Sequence, residues 1–549
     1  MIAVLANPAE SGVVREFFEL FKTPWEFYRS GSQCDMLICS SANFRESLAK
    51  LVLIYDDEPG LFDREKGIEI RSQLSSSIIS FQGRRIPIYG NCLTFGGAAV
   101  GFLVDENTQE SAVLEIPSQQ QTFVRVGYDL FQEIRHLLTR GQPTTHAGIP
   151  ALELHIAILR DLIIRSSIPL IEIPPVPSAY NFVVCLTHDV DHFGIRNHKC
   201  DRTMFGFLYR ALVGSLINFC RGRRSFRQVA INWMAAFSLP FVYLGIAKDF
   251  WADLDRYVEI EKGLGSTFFL MPQKGDPGVN GEARRATRYE IAAIVPQVRR
   301  LLSERREIGL HGIDAWRDSS KGHTELDRIR RVTDASEMGV RMHWLFFDEK
   351  SPAILEEAGF SYDSTIGYNE TVGYRAGTTQ AFKPLGVERI LELPMHIMDT
   401  ALFYPDYLSL SPNQARTVIA PLIENAVRFG GVLTVNWHDR SIAPERLWDD
   451  FYISLLEELR SHGPWFPTAA QAVSWFRKRR SAVFEDASRD GEAIRVKVAL
   501  NQDDESLPGL RLRVHNAPVL QTRESRSAMP DSAFTDTPFN RSGEIQVAI

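Results

Sequence analysis

The chain holds 549 residues, 44% hydrophobic, 11% aromatic and 23% charged. This is ordinary globular usage and excludes collagen-like, coiled-coil and wholly disordered architectures. At ~150 residues per domain it divides into three or four domains, or two and an oversized catalytic one, each able to bury a core. The net charge of −7 lacks the basic surplus that marks a binder of nucleic acid polymers.

Six cysteines, Cys34, Cys39, Cys92, Cys185, Cys200 and Cys220, form no CxxC pair and read as free thiols in a reducing compartment. The opening run Ile2–Ala6 has no basic flank and is too short for a signal segment, so it is expected to be a buried strand and the address to be cytoplasmic. Further short apolar runs, Met36–Cys39, Leu51–Tyr55 and Ile86–Tyr89, alternate with amphipathic stretches such as Val13–Phe21. They predict an α/β domain over residues 1–170 built on a parallel sheet. Asp129–Leu138 and Leu152–Ile164 follow as helices. No chemical motif marks this part, and its expected role is structural or partner-docking.

Prolines 169, 174, 175 and 177 cannot continue a helix and mark a boundary. A second domain is expected over residues 178–482. Strands are predicted at 181–187, 266–271, 308–310, 341–347, 389–393 and 432–437, with helices between them. Polar residues at the strand ends are how α/β barrels build their sites. An insert at 203–250 interrupts this plan. Ala230–Ala247 is uncharged and contains a mid-run proline, and Arg221, Arg223, Arg224 and Arg227 precede it. It reads either as a buried helical hairpin over the barrel or as an interfacial element in peripheral contact with a membrane. Past Arg480, the strict alternation of Ile494–Val498 and Leu510–Val514 predicts a small β-rich module over 491–549, with 520–537 as a loop.

The chemistry gathers at strand ends. Asp189 and Asp191 end the first barrel strand in Thr187-His188-Asp189-Val190-Asp191-His192. Two such carboxylates need partners if buried, and a division between a metal ligand and a free base answers that need. Capping of a helix is the plainer alternative. His311, followed by Asp314, and His438 end two more strands. Asp, His and His on three separate strand ends point to a metal hydrolase site.

These residues resemble the motifs of the polysaccharide deacetylase family, also called the NodB homology domain or carbohydrate esterase family 4, whose fold is a distorted (β/α) barrel. The resemblance spans about residues 181–480. It implies Asp189 as general base, Asp191 and His311 as metal ligands, Arg341 (in Arg341-Met342-His343-Trp344) and Asp399 as catalytic partners, and His438 as general acid. The family's second motif is His-x-x-x-His, but position 315 is Ala. Asp314 is taken as the replacing ligand, with His343 and His192 as other candidates. Trp344, Trp437 and Arg375 are taken to bind substrate; a solvated loop position is the plainer reading of Arg375.

The expected protein is therefore α/β, a central barrel of the deacetylase type between an N-terminal α/β domain and a small C-terminal β module. It is expected to use a divalent metal, taken as zinc, to remove N-acetyl groups from a saccharide. A cytoplasmic enzyme would meet lipid- or nucleotide-linked sugars, and the insert would suit contact with the inner membrane. Hydrolysis of another non-peptide C–N bond, or a catalytically degenerate glycan- or partner-binding scaffold, are the alternatives.

Overall fold

The computed structural model describes residues 1–43, 47–97, 102–118, 121–222, 224–275, 288–490, 493–501, 504–515 and 534–548. Of the expected loop at 520–537, residues 520–533 lie outside them, and 534–537 belong instead to a strand, Phe534–Phe539, that pairs antiparallel with Leu510–His515. The chain divides into two compact units: one of Met1–Ala179, Tyr374–Gly386 and Ser474–Ile549, the other of Tyr180–Gly373 and Val387–Val473.

The first unit contains a six-stranded sheet in the order Val113–Pro117, Thr122–Val126, Leu51–Tyr55, Met36–Cys39, Ile2–Leu5, Trp25–Phe27. Its pairings are parallel except the first, where Val113–Pro117 runs antiparallel to Thr122–Val126. The run at Ile86 departs from the expected parallel sheet. Arg84–Ile88 pairs antiparallel with Ser77–Phe81, because Gln82 and Gly83 both take positive φ and close a two-residue hairpin. The C-terminal strands belong to the first unit. Leu510–His515 pairs with Leu170–Glu172, and His515 Nε2 lies 2.8 Å from buried Glu172.

The second unit is built on eight parallel strands: β1 (Val183–Val190), β2 (Thr267–Leu270), β3 (Glu307–Gly312), β4 (Gly339–Met342), β5 (Tyr362–Asp363), β6 (Leu391–Glu392), β7 (Ile397–Met398) and β8 (Val432–Asn436). They are ordered β6-β5-β4-β3-β2-β1-β8-β7 and curl into a distorted (β/α) barrel. Residues 393–396 carry the chain across from β6 to β7, the two end strands. Sequence patterning misses β5 and β7, since two residues carry no readable period. β1 is buried along its whole length, and its Val-Val-Cys-Leu run suits a strand covered on both faces.

Close packing among the barrel strands depends on glycines, Gly309 among them. A Cβ at Gly309 would come 2.6 Å from the Phe269 ring, and that ring lies 4.5 Å from the Arg341 guanidinium carbon. The insert forms two helices, α1 (Arg202–Cys220) and α2 (Phe226–Tyr243). Among the described residues, α1 alone is long and apolar enough to cross a membrane by length and composition.

Candidate metal and hydrolytic site

Side chains alternate along a strand, so the alternate residues Thr187, Asp189 and Asp191 share one side of β1. His188 turns the other way. It is fully buried, with Nε2 2.8 Å from Glu261 and Nδ1 2.8 Å from the Trp437 carbonyl, between the rings of Tyr257 and Phe268. His188 is therefore a core histidine.

Asp191, His311 and His343 converge from the ends of β1, β3 and β4. His311 Nε2 lies 3.2 Å from Asp191 Oδ1 and 2.9 Å from His343 Nδ1, and His343 Nδ1 is 3.3 Å from the same oxygen. Two imidazole nitrogens and a carboxylate oxygen form a donor set for a divalent cation such as zinc. The far nitrogen of His311 supports this: Nδ1 lies 3.0 Å from the Arg341 carbonyl. If Nδ1–H donates there, the Nε2 lone pair faces the group. Burial alone would raise the Asp191 carboxyl, but His343, His311 and His438 hold it well below the usual range.

Asp314 does not join this group. Its carboxylate is buried and pairs with Lys321 Nζ at 2.8 Å, in the first turn of the helix Ser319–Thr333. The strand ends at Gly312, and the chain has turned by Asp314. Ala315 is fully buried, and a Cβ on Gly322 would meet its Cβ at 3.4 Å, so position 315 is a packing site in this chain. His343 stands where Asp314 was expected. Its signal was legible: a histidine two residues after Arg341 at a strand end. His192 also stays outside the group, with its backbone N–H donating to Asp439 and its ring against His198. The turn after His343 is unusual, for Trp344 and Leu345 both take positive φ. That conformation leaves Trp344 46% exposed beside buried His343.

Asp189 is buried and doubly held. Arg341 Nη1 donates to Oδ1 at 3.0 Å and Asn436 Nδ2 to Oδ2 at 2.8 Å. Burial pushes its carboxyl up, but Arg341, His311 and His438 outweigh that and leave it below the ordinary value. Arg341 is itself fixed by Thr187, the Ser364 carbonyl and the Ser364 hydroxyl. Asn436, Thr187 and Ser364 were not singled out in the sequence; no local pattern distinguishes them.

His438 Nε2 lies 4.0 Å from Asp191 Oδ2. Its Nδ1 is 2.6 Å from Asp399 Oδ1, and its backbone N–H donates to Asp399 Oδ2 at 2.6 Å. Ser441 Oγ–H also donates to that carboxylate. Burial pulls the imidazolium down, yet Asp399, Asp191 and Asp189 together lift it to about 10. Asp399 has no solvent exposure.

Two expected substrate contacts lie elsewhere. Trp437 is fully buried, with its ring stacked on Tyr452 at 4.9 Å and near-parallel to Phe451 at 6.1 Å. Its side chain belongs to the core because it alternates with His438 across the strand end. Arg375 falls in the other compact unit, where its carbonyl accepts from the Gln142 N–H at 2.7 Å.

No protein-family model matches the chain, and no curated protein matches it. Solved structures do. One, described as a "putative polysaccharide deacetylase" from Mycobacterium smegmatis, is 18% identical, with 56% of this chain and 95% of that one covered at a TM-score of 0.34. Puue allantoinase is 14% identical, with 56% and 93% covered at 0.35. A family 4 acetyl xylan esterase from Clostridium thermocellum, in complex with a cobalt ion, is 13% identical, with 53% and 91% covered at 0.24.

Proposed function

We propose that the chain is a metal-dependent hydrolase that removes N-acetyl groups from a saccharide. The observation that carries the reading is the pairing of two held groups around one donor set. Asp189 is kept anionic by Arg341 and Asn436, and His438 is kept protonated by Asp399. Both lie with Asp191, His311 and His343 at the barrel mouth.

A divalent cation, which we take to be zinc, would be held by those three side chains and would polarise an amide carbonyl and acidify water. The chain's own residues supply the proton transfers. Asp189 accepts a proton from the attacking water, and Arg341 neutralises its charge before the reaction. His438 gives a proton to the departing amine, without which an amide nitrogen leaves poorly. Asp399 accepts from Nδ1–H and so orients the ring with Nε2–H toward the substrate. Exposed Trp344, beside His343, offers an apolar face for a sugar ring. The saccharide is taken to be carried on a lipid or nucleotide.

The test is acetate release from free, nucleotide-linked and lipid-linked N-acetylated saccharides, together with metal analysis of the purified protein. Asp189→Asn is expected to abolish release while retaining metal. An Asp189→Asn protein with normal turnover overturns the assignment, and wild-type protein without stoichiometric metal favours the scaffold reading.

A further inference from the structure

The insert has two apolar faces where a soluble helical hairpin needs one. On the inner side, Met204, Phe207 and Ala211 of α1 and Ala235, Leu239 and Val242 of α2 pack in one buried cluster with Ile195, Trp251 and Ala443 of the barrel. On the outer side a second stripe faces solvent. Along α1 it runs Phe205, Tyr209, Val213 and Leu216; along α2 it runs Met234, Phe237, Phe241 and Leu244. Each step is three or four residues, which keeps the stripe on one helix face. These eight side chains are between 43% and 72% exposed, and Phe226 at the start of α2 is 77% exposed. Only 22% of α1 is buried, so it is not the covered core helix that its composition resembles. Contiguous exposed apolar surface of this kind marks an interaction site.

The charge around the stripe identifies its partner. Residues 202–248 contain seven basic side chains, Arg202, Arg210, Arg221, Arg223, Arg224, Arg227 and Lys248, and no acidic one, in a chain whose net charge is −7. Arg202, Arg221, Arg227 and Lys248 are exposed. Lys248 pairs with Asp253 at 2.8 Å, which leaves Arg202, Arg221 and Arg227 at the rim, and an apolar face edged by exposed arginines complements a bilayer, whose acyl boundary takes the aromatics and whose anionic headgroups take the arginines.

Tethering argues against a span. Arg224 at the start of α2 donates to the Glu445 carbonyl at 2.7 Å, and Asn232 donates to the Pro444 carbonyl. At the other end of α2, Arg196 donates to the Val242 and Ala247 carbonyls, each at 2.7 Å. With α2 fixed to the barrel at both ends, and α1 holding Met204, Phe207 and Ala211 in the same buried cluster, the hairpin can lie on a membrane but cannot cross it.

We propose that the outer face of the α1–α2 hairpin is a docking surface for an anionic lipid bilayer. The tethers give the docking a consequence. Pro444 and Glu445 belong to the segment that begins at His438, so a docked hairpin holds the His438 end of the site beside the leaflet.

The surface is independent of the hydrolytic reading, and its test reads binding without activity. Full-length protein is sedimented with vesicles of phosphatidylcholine alone and of phosphatidylcholine with 30% phosphatidylglycerol. The expected result is sedimentation with the anionic vesicles only, weakened by salt. Phe226→Ser/Phe237→Ser/Phe241→Ser and, separately, Arg221→Glu/Arg227→Glu are each expected to lower the bound fraction at least about tenfold. All five positions are exposed, so folding is expected to survive, and unchanged circular dichroism checks that. Absence of wild-type sedimentation overturns the proposal, as does equal sedimentation by the variants or indifference to lipid charge. A dimer in solution that the phenylalanine variants convert to monomer, without vesicle binding, would mean that a second copy covers the face, and also overturns it.

Discussion

His311 Nε2 and His343 Nδ1 lie 2.9 Å apart, with Asp191 Oδ1 3.2 and 3.3 Å from them. Two imidazoles meeting through ring nitrogens need a proton or a cation between them, because facing lone pairs repel. His343→Ala is therefore expected to lower metal affinity about 10- to 100-fold or more. Asp314→Asn, in a residue paired with Lys321, is expected to leave metal content unchanged. Metal titration of both variants checks this. Loss of metal in Asp314→Asn with retention in His343→Ala would reverse the ligand assignment.

Asp399 governs the charge on His438. Burial opposes the imidazolium, and Asp399 is the first of the groups that raise it. Asp399→Asn should therefore shift the alkaline limb of the pH–rate profile to lower pH, since the proton on His438 is then lost earlier. The acid step should slow kcat by about 10²- to 10⁴-fold. A variant that changes KM alone would remove Asp399 from this role.

Arg341 is fully buried against Asp189. Replacing it by methionine keeps the volume but strands the carboxylate without its counter-charge, at a cost of about 3–5 kcal/mol. Denaturant midpoints of Arg341→Met and of Arg341→Met/Asp189→Asn measure this. The double variant should recover part of the loss.

Trp437 gives a test between packing and substrate contact. Its ring is fully buried against Tyr452 and Phe451, so Trp437→Ala should cost about 3–5 kcal/mol of stability. Trp437→Phe should restore most of that with KM unchanged. A large KM effect in a fully folded Trp437→Phe protein would return the residue to the substrate.

Glu153 links the stability of the first unit to pH. Oε1 accepts from the Thr378 hydroxyl and from the Thr379 N–H and hydroxyl, while Oε2 is buried without a hydrogen-bond partner among the described residues. Burial outweighs those hydrogen bonds and lifts the carboxyl from 4.5 to about 7. The folded state thus keeps its proton where the unfolded state has released it. The contribution is complete below pH 4.5 and is lost as pH rises to about 7, a change of about 3 kcal/mol. Glu153→Gln should remove this dependence, and unfolding midpoints at pH 5 and pH 8 should then differ less than in wild type.

Much of the fold was legible because buried parallel strands and amphipathic helices leave periods in the sequence. Strands ending at Asp189, His311 and His438 could be found that way, and β5 and β7, two residues each, could not. The N-terminal hairpin at Gln82-Gly83 was missed because a run such as Ile86–Ile88 has the same composition in a parallel or an antiparallel sheet.

The sequence by itself determined which chemistry was at hand, since side-chain type and strand-end position are local properties. It also carried the arginine-rich, apolar insert. Only the tertiary structure decided which groups meet. Strand alternation sent His188 into the core and Asp189 and Asp191 to the mouth, and the turn after Gly312 gave Asp314 to Lys321. The register of β3 on β4 brought His343, 32 residues from His311, to the position that Asp314 had been expected to fill. Convergence of distant strand ends depends on pairing and turn geometry, and neither is written in the spacing of residues along one segment.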